Sequence, residues 1–489
     1  MTGEGITVLD STTAPAAAPI GPKHFPAGFQ WGAATAAFQI EGSTSADGRT
    51  ASIWDVFARR PGAILGGDTG EPAADHYRRM PEDVALMAEI GLSTYRFSVA
   101  WPRIRPDGGA VEQRGLDFYR RLVDELLARG ITPWVTLYHW DLPQALEDRG
   151  GWTARDTAHR FAEFADTVYG ALGDRVHYWT TLNEPWCSAL LGYASGEHAP
   201  GRVAPLTAVA AAHHLLLAHG LAGAAIRARD PRGALGITLN LSPVDAVDPD
   251  DPIDVEAVRR IDGLQNRLFL EPVVRGAYPA DVAADLEPLG FGDHVREGDL
   301  SLISAPIDLI GVNYYVGTVV SGHPDAVAGP PPSLTSAGLS RPTPPGSPWI
   351  GAEDVSFHSR GRPVTAQDWE VYPEGLTRTL TWLSAQVPGL PLYVTENGAA
   401  YPDEVRDGAV HDPDRVAYVA AHVSAVHDAI EAGADVRGYF AWSLLDNFEW
   451  AWGYACRFGI VFVDYDTQQR IPKSSARWYS SVISANAIP

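Results

Sequence analysis

Short apolar runs alternate along the chain with longer amphipathic stretches. Buried strands separated by helices are typical of a parallel sheet with crossover connections. The apolar runs predict eight strands, at residues 29–39 (a short strand running into a loop), 92–99, 131–138, 176–182, 234–240, 308–315, 392–396 and 436–442. The stretches between them predict helices at 81–90, 116–129, 154–172, 207–229, 375–385 and 413–432.

Eight strands in one chain favour a closed barrel over an open sheet. We therefore predict an α/β fold, a single-domain (β/α)8 TIM barrel with elaborated βα loops, over residues 23–489. Residues 1–22 are rich in Thr, Ala, Pro and Gly and predict a flexible leader. Two insertions, 190–205 and 321–362, are predicted to be loops, and the second forms either a wall or a mobile lid of the entrance.

Three local signals make predictions about element boundaries. Pro81, followed by two acidic residues, predicts the first turn of helix 81–90. Thr207 is predicted to be the N-cap of the helix that follows it. Pro185 cannot donate a sheet hydrogen bond and is predicted to hold Glu184 extended, so that the fourth strand ends at this carboxyl group.

The charge, hydropathy and cysteine content of the chain argue against several classes of function. The chain has 489 residues, 45% hydrophobic, with a net charge of -23 and no Lys/Arg run, which argues against nucleic-acid binding and disfavours anionic substrates. We see no secretory signal and predict no membrane span. Two cysteines, Cys187 and Cys456, form no disulfide framework and no metal-ligand cluster and are interpreted as buried small residues or bystanders. A cytoplasmic location fits best, while a non-Sec export route stays open.

Two glutamates end two of the predicted strands in similar contexts. Glu184 and Glu396 each follow an apolar run and lie beside an asparagine. In a parallel barrel the carboxyl ends of all strands share one face, so both side chains are expected there. Two carboxyl groups set among aromatic residues suit glycoside cleavage, and a retaining enzyme needs them roughly 5–5.5 Å apart.

The surroundings suggest a role for each carboxyl group. An apolar neighbourhood raises a carboxyl pKa, so Glu184 is predicted to be the acid/base. Arg96 lies inside a predicted strand, where its charge needs an anion. We predict that Arg96 and the Tyr315 hydroxyl hold Glu396 ionised as the nucleophile.

Other polar and aromatic residues near strand ends fit a sugar, since hydroxyl groups need polar partners and sugar rings stack on indoles. The predicted substrate-binding residues are Gln39, His139, Trp140, Asn183, Asn313, Tyr315, Trp369, Trp442, Glu449 and Trp450. Trp442 and Trp450 would form the floor and rim, and Trp369 would flank the leaving group. His213, His214 and His219 lie on a helix without acidic partners and are interpreted as structural, so neither a metal nor another cofactor is expected.

The same residues belong to motifs that resemble glycoside hydrolase family 1 β-glucosidases from about residue 25 to 480. The matching pieces are 29–32 with 39–42, 95–98, 137–143, Thr-Leu-Asn-Glu-Pro at 181–185, 313–315, 369–373, Thr-Glu-Asn-Gly at 395–398, and 442–450. The resemblance implies a retaining exo-β-glycosidase that releases terminal β-D-glucosyl residues from small β-glucosides and short oligosaccharides, with tolerance of β-galactosides and β-fucosides. It implies Glu184 as acid/base and Glu396 as nucleophile, and places the chain in carbohydrate metabolism and cellulose degradation.

Relatives that cleave 6-phosphoglycosides carry Ser, Lys and Tyr around the phosphate, where this chain has Glu449, Cys456 and Phe458. A carboxylate repels phosphate, so neutral sugars are expected. Two other functions stay open: a transglycosylase that uses the same residues with an acceptor other than water, and a non-catalytic sugar-binding barrel, which is expected to lose one carboxyl group. The aglycone preference also stays open, as does the choice between a monomer and a homo-oligomer.

Overall fold

A closed barrel of eight parallel strands forms the centre of the protein. The computed structural model describes residues 22–230, 232–323, 334–340 and 342–488. The predicted leader, apart from Pro22, lies outside these residues. Part of the insertion 321–362, which was predicted to form a wall or a lid, also lies outside them. In chain order the strands are β1 (Gln30–Thr35), β2 (Thr94–Ser98), β3 (Thr132–Tyr138), β4 (Tyr178–Asn183), β5 (Ala234–Asn240), β6 (Leu309–Asn313), β7 (Leu392–Asn397) and β8 (Val436–Trp442).

Each strand pairs in parallel with its neighbours in the sequence, and β8 pairs with β1 to close the barrel. The strands are almost entirely buried on both faces, which explains their near-continuous apolar runs. The predicted (β/α)8 fold is confirmed. Its carboxyl-terminal face brings the ends of all eight strands together, and there the predicted site residues lie.

A layer of helices surrounds the strands and is connected to them by long loops. The helices that follow β1 to β4 are His76–Ile90, Gln113–Ala128, Asp156–Leu172 and Pro205–Arg229. Those after β5 are Pro252–Asp262, Leu268–Arg275, Ala280–Leu286 and Asp299–Ile303, and those after β6 to β8 are Pro373–Gln386, Pro413–Glu431 and Ser474–Ala485. A small sheet of Val244–Ala246, Thr318–Ser321 and Ser356–His358 extends the loops on the site face.

Two predicted helix starts are wrong. The first helix begins at His76 and contains Pro81, because the amide of Tyr77 bonds the Glu41 carbonyl and extends the helix beyond the local signal. The helix after β4 begins at Pro205, with Ala204 at its N-cap. Thr207 therefore lies inside the first turn, where its hydroxyl donates to the Ala204 carbonyl instead of capping the helix.

The helix Pro205–Arg229 is long and apolar enough to cross a membrane by length and composition, although the sequence analysis predicted no span. Its most apolar window has a mean hydropathy of 1.4 and is 83% buried inside the protein. This burial against the neighbouring helices accounts for its apolar character.

A buried ion network anchors the loop after β8, which carries two of the predicted site residues. The Lys473 ammonium lies 2.6 Å from Asp403 and 2.7 Å from Asp446, and all three side chains are fully buried. Replacing Lys473 by Met leaves two buried carboxylates short of a cation. We expect a loss of about 3 kcal/mol in the free energy of unfolding, measured by urea denaturation.

The matched control is Lys23→Met, which removes a solvent-exposed ion pair with Asp428. Exposed ion pairs contribute little to stability, so we expect this variant to lose less than about 1 kcal/mol in the free energy of unfolding. Equal losses in the two variants would show that the buried network does not stabilise this face of the barrel.

Candidate active site

A cavity of about 360 Å³ opens at the carboxyl ends of the strands, and most of the predicted site residues line it. The lining includes His139, Trp140, Glu184, Asn313, Tyr315, Trp369, Glu396, Trp442, Glu449 and Trp450. Gln39, Arg96 and Asn183 lie directly behind this surface and bond to residues that line it. The structure thus brings together residues separated by as much as four-fifths of the chain.

Glu184 follows the last residue of β4 and is held in an unusual backbone conformation. Its φ of 46° is left-handed, so the predicted extended conformation is wrong. Its amide bonds the Thr238 carbonyl of β5, and Pro185 begins a helical turn that continues as the π-helix Cys187–Ser195. Proline is favoured in the first turn of a helix, so a helix can begin directly after Glu184. The chain therefore changes from strand to helix at this one residue.

The Glu184 carboxyl group is buried and contacts no cation within the described part of the chain. Asn313 donates to one oxygen at 2.6 Å, and the Cys187 thiol lies 3.1 Å from the other. Burial and the nearby Glu396 carboxylate raise the pKa of Glu184 to about 7. Glu184 is therefore largely protonated below neutral pH and is suited to donate a proton.

Glu396 lies in β7 and contacts a cation. The Arg96 guanidinium of β2 donates at 2.6 Å to one carboxylate oxygen, and the Tyr315 hydroxyl donates at 2.7 Å to the other. Burial raises the pKa of Glu396, while Arg96 and Tyr315 oppose that rise. Because only Glu396 of the two glutamates contacts a cation, the negative charge of the pair resides on Glu396.

A network of amides fixes both glutamates to the barrel. Arg96 also donates to the Asn183 side-chain oxygen at 2.6 Å, and Asn183 lies 3.1 Å from the His139 ring. Asn313, which bonds Glu184, accepts a hydrogen bond from the Thr395 hydroxyl of β7. The two carboxyl groups are thus linked through rigid strand-end side chains rather than through mobile loops.

Three polar groups beside the cavity are suited to bind hydroxyl groups. Gln39 donates to the Phe448 carbonyl and to Glu449, while its own side-chain oxygen is buried and has no hydrogen-bond partner among the described residues. His139 Nδ1 is likewise buried without a partner, and burial and Arg96 keep the ring neutral by lowering its pKa well below the usual range. Burial and the nearby carboxyl groups of Glu396 and Glu184 raise the pKa of Glu449 to about 8.

Aromatic rings form the walls of the cavity. Trp442 stacks on His139 with ring centroids 5.6 Å apart, and Trp369 lies 5.6 Å from Tyr315. Trp140 packs 4.5 Å from Trp450. The Trp140 indole N–H donates to the Asn183 carbonyl, so this residue offers a ring face but no hydrogen-bond donor to a substrate.

Sequence reasoning missed several residues that line the cavity. Trp186, Glu197, Trp349, Gln367 and Trp452 also line the cavity. Trp186 and its neighbour Cys187 were detectable, because they follow Glu184 within one helical turn.

Cys187 is a buried small residue, as predicted, and its thiol in addition contacts Glu184, which the sequence analysis did not foresee. His213, which the sequence analysis treated as lacking an acidic partner, lies 2.9 Å from Asp299. Among the described residues no group of His, Cys, Asp and Glu could hold a metal ion.

The raised pKa of Glu184 predicts the shape of the pH–activity profile. Proton donation needs the protonated form, so kcat/KM for an aryl β-glucoside should be flat just below pH 7 and fall about tenfold per pH unit above it. Because the pKa of Glu184 is raised, its carboxyl group keeps the proton up to a higher pH than an ordinary glutamate, and activity falls only above that pH. Glu184→Ala should remove this alkaline limb, whereas a wild-type kcat/KM that rises from pH 7 to pH 9 would exclude Glu184 as the acid.

Comparison with known proteins gives concordant matches over nearly the whole chain. The model of glycosyl hydrolase family 1 matches residues 22–488. Thermostable beta-glucosidase B of Thermobispora bispora is 50% identical, over 96% of this chain and 92% of that protein. A bifunctional beta-D-glucosidase/beta-D-fucosidase of Bifidobacterium breve is 47% identical, over 94% of this chain and 98% of that protein. The crystal structure of the psychrophilic beta-glucosidase BglU of Micrococcus antarcticus superposes with a TM-score of 0.90 at 54% identity, over 95% of this chain and 98% of that one.

Proposed function

This chain belongs to glycosyl hydrolase family 1, and from that premise we propose that it is a retaining exo-β-glycosidase that hydrolyses terminal, non-reducing β-D-glucosyl residues. One observation carries the assignment of roles. Two buried glutamates meet in one cavity, and only Glu396 contacts a cation while Glu184 has its pKa raised to about 7. This asymmetry separates a nucleophile from an acid.

In the first step the Glu396 carboxylate attacks the anomeric carbon and forms a covalent glycosyl-enzyme. Arg96 and Tyr315 hold its two oxygens and fix the direction of attack. Glu184 transfers its proton to the glycosidic oxygen, and the aglycone leaves as an alcohol.

In the second step Glu184, now ionised, removes a proton from water, and the resulting hydroxide equivalent releases the sugar from Glu396. Asn313 keeps the Glu184 carboxyl group in place through both steps, since it donates to one oxygen at 2.6 Å. Two displacements at the same carbon restore the β configuration, so the first product is the β anomer.

The cavity favours neutral sugars. Glu449 and Phe458 line it, and among the described residues no lysine or arginine in the lining compensates the charge of a phosphorylated substrate. The partnerless polar atoms of Gln39 and His139 are suited to bind sugar hydroxyl groups, with Trp442 beneath the ring. The bifunctional relative supports an extension of the substrate range to β-fucosides.

A panel of 4-nitrophenyl β-glycosides together with cellobiose tests this function. We expect cleavage of the β-glucoside and β-fucoside, weaker cleavage of the β-galactoside, and none of a 6-phosphoglucoside. Proton NMR of the early reaction should detect β-glucose first. No turnover of any β-glycoside would support the sugar-binding alternative, and α-glucose as the first product would indicate inversion.

The same residues support transglycosylation if an alcohol or a sugar takes the place of water in the second step. Product analysis at high acceptor concentration measures the ratio of transglycosylation to hydrolysis, as the amount of transfer product relative to free glucose.

We also propose a cytoplasmic role in the degradation of short oligosaccharides derived from cellulose. The two cysteines are both free and buried, which suits a reducing compartment. Cell fractionation tests the location, and light scattering of the purified protein decides between a monomer and a homo-oligomer.

A further inference from the structure

Glu197 is the exception among the four carboxyl groups that line the active-site cavity. Glu184 and Glu396 each accept two hydrogen bonds, and Glu449 accepts one from Gln39. Within the described part of the chain, no cation or hydrogen-bond donor contacts the Glu197 carboxyl group, and no lysine or arginine lines the cavity. A carboxylate in this setting is suited to a ligand that brings donors with it.

The backbone on both sides of Glu197 is fixed. It follows the π-helix after β4 and Gly196, whose φ of 73° turns the chain. The Glu197 amide donates to the Ser195 hydroxyl at 3.3 Å, and the His198 amide donates to the Leu191 carbonyl at 3.1 Å. The carboxyl group is therefore held against the cavity wall by its own segment.

Its position relative to the reaction centre follows from its neighbours. Glu197 and Cys187 both line the cavity, and the Cys187 thiol lies 3.1 Å from the Glu184 carboxyl group. Glu197 thus borders the side of the cavity on which Glu184 protonates the leaving oxygen. Trp186 and Trp349, with ring centroids 5.3 Å apart, line the same cavity and offer apolar faces.

We propose that Glu197 binds hydroxyl groups of the leaving group and makes this enzyme selective for glucosides whose aglycone is itself a sugar. A carboxylate accepts hydrogen bonds from two neighbouring hydroxyl groups at once, and charge-assisted hydrogen bonds are stronger than neutral ones. The inference rests on the proposed function, since it assigns the leaving-group side of the same site.

The test compares cellobiose with 4-nitrophenyl β-glucoside as substrates of Glu197→Gln. Gln keeps the size of the side chain and removes the charge. We expect kcat/KM for cellobiose to fall about tenfold, which corresponds to about 1.4 kcal/mol, and kcat/KM for the aryl glucoside to stay within about twofold. Glu431→Gln, at the exposed end of the helix Pro413–Glu431, is the matched control and should change neither constant.

The pH dependence of the cellobiose/aryl ratio of kcat/KM, compared between the wild type and Glu197→Gln, isolates Glu197. Titration of Glu184 affects cellobiose more than the aryl glucoside, because a leaving sugar needs the proton more than a nitrophenolate does, but this effect is shared by both proteins. Burial raises the pKa of Glu197 to about 7, so the wild-type ratio divided by the Glu197→Gln ratio at the same pH should rise through neutral pH.

Two titratable neighbours of Glu197, His198 and Cys187, do not titrate near pH 7. Burial lowers the pKa of His198 to about 3, and burial and nearby carboxylates raise that of the Cys187 thiol well above its usual range. Equal losses on both substrates, or no loss on cellobiose, would overturn the proposal for Glu197. A wild-type protein that cleaves neither substrate would instead overturn the proposed function.

Discussion

Glu396→Gly should lower kcat for 4-nitrophenyl β-glucoside by about 10⁴- to 10⁶-fold, because the covalent intermediate can no longer form. In the wild type Arg96 and the Tyr315 hydroxyl bond its two oxygens at 2.6 and 2.7 Å. Among the residues that the structure describes, no other carboxyl group lining the cavity contacts Arg96. The measurement is steady-state release of nitrophenol under saturating substrate.

Added azide provides the internal control for this variant. A small anion can enter the space that the side chain leaves and attack the anomeric carbon from the same direction as Glu396. Because a single displacement inverts the configuration, the rescued product should be the α-glucosyl azide. A β-glucosyl azide from this variant would reverse the roles that we assign to Glu396 and Glu184.

Glu184→Ala should lower activity in a way that depends on the leaving group. Loss of a general acid costs about 10²- to 10⁴-fold when the departing oxygen needs a proton, as in cellobiose. A 2,4-dinitrophenyl leaving group needs little protonation, so formation of the glycosyl-enzyme should be nearly unaffected. The variant should then show a burst of dinitrophenol followed by slow turnover, since the base of the second step is also missing.

The configuration of the product formed with azide distinguishes Glu184→Ala from Glu396→Gly. It should attack the glycosyl-enzyme on the face where Glu184 activates water, and two displacements give the β-glucosyl azide. If cellobiose and the dinitrophenyl glucoside lost activity equally, Glu184 would be acting on binding or folding rather than as an acid.

Much of the barrel could be predicted from the sequence because its strands are buried on both faces. The predicted bounds of β5 and β8 agree with the structure. The prediction that Arg96 would pair with Glu396 is confirmed by the 2.6 Å contact. A charge inside an apolar strand needs an opposite charge, and the barrel brings one to it.

Features that depend on tertiary packing could not be predicted. The segment at 190–205 was predicted to be a loop, yet the first part of it belongs to the π-helix Cys187–Ser195. Glu184 adopts a left-handed backbone although a following proline locally favours an extended one. Trp349 reaches the cavity from a Pro/Gly/Ser-rich segment that carries no periodic signal, so only the folded chain places it there.

Trapping of the covalent intermediate is the decisive experiment. In 2-deoxy-2-fluoro-β-D-glucosyl fluoride, the ring fluorine slows both displacements and the fluoride leaving group speeds the first, so the glycosyl-enzyme should accumulate. Proteolysis and mass spectrometry should then locate a single fluoroglucosyl group on Glu396. A label on Glu184, or full activity without any label, would contradict the assignment of Glu396 as the nucleophile.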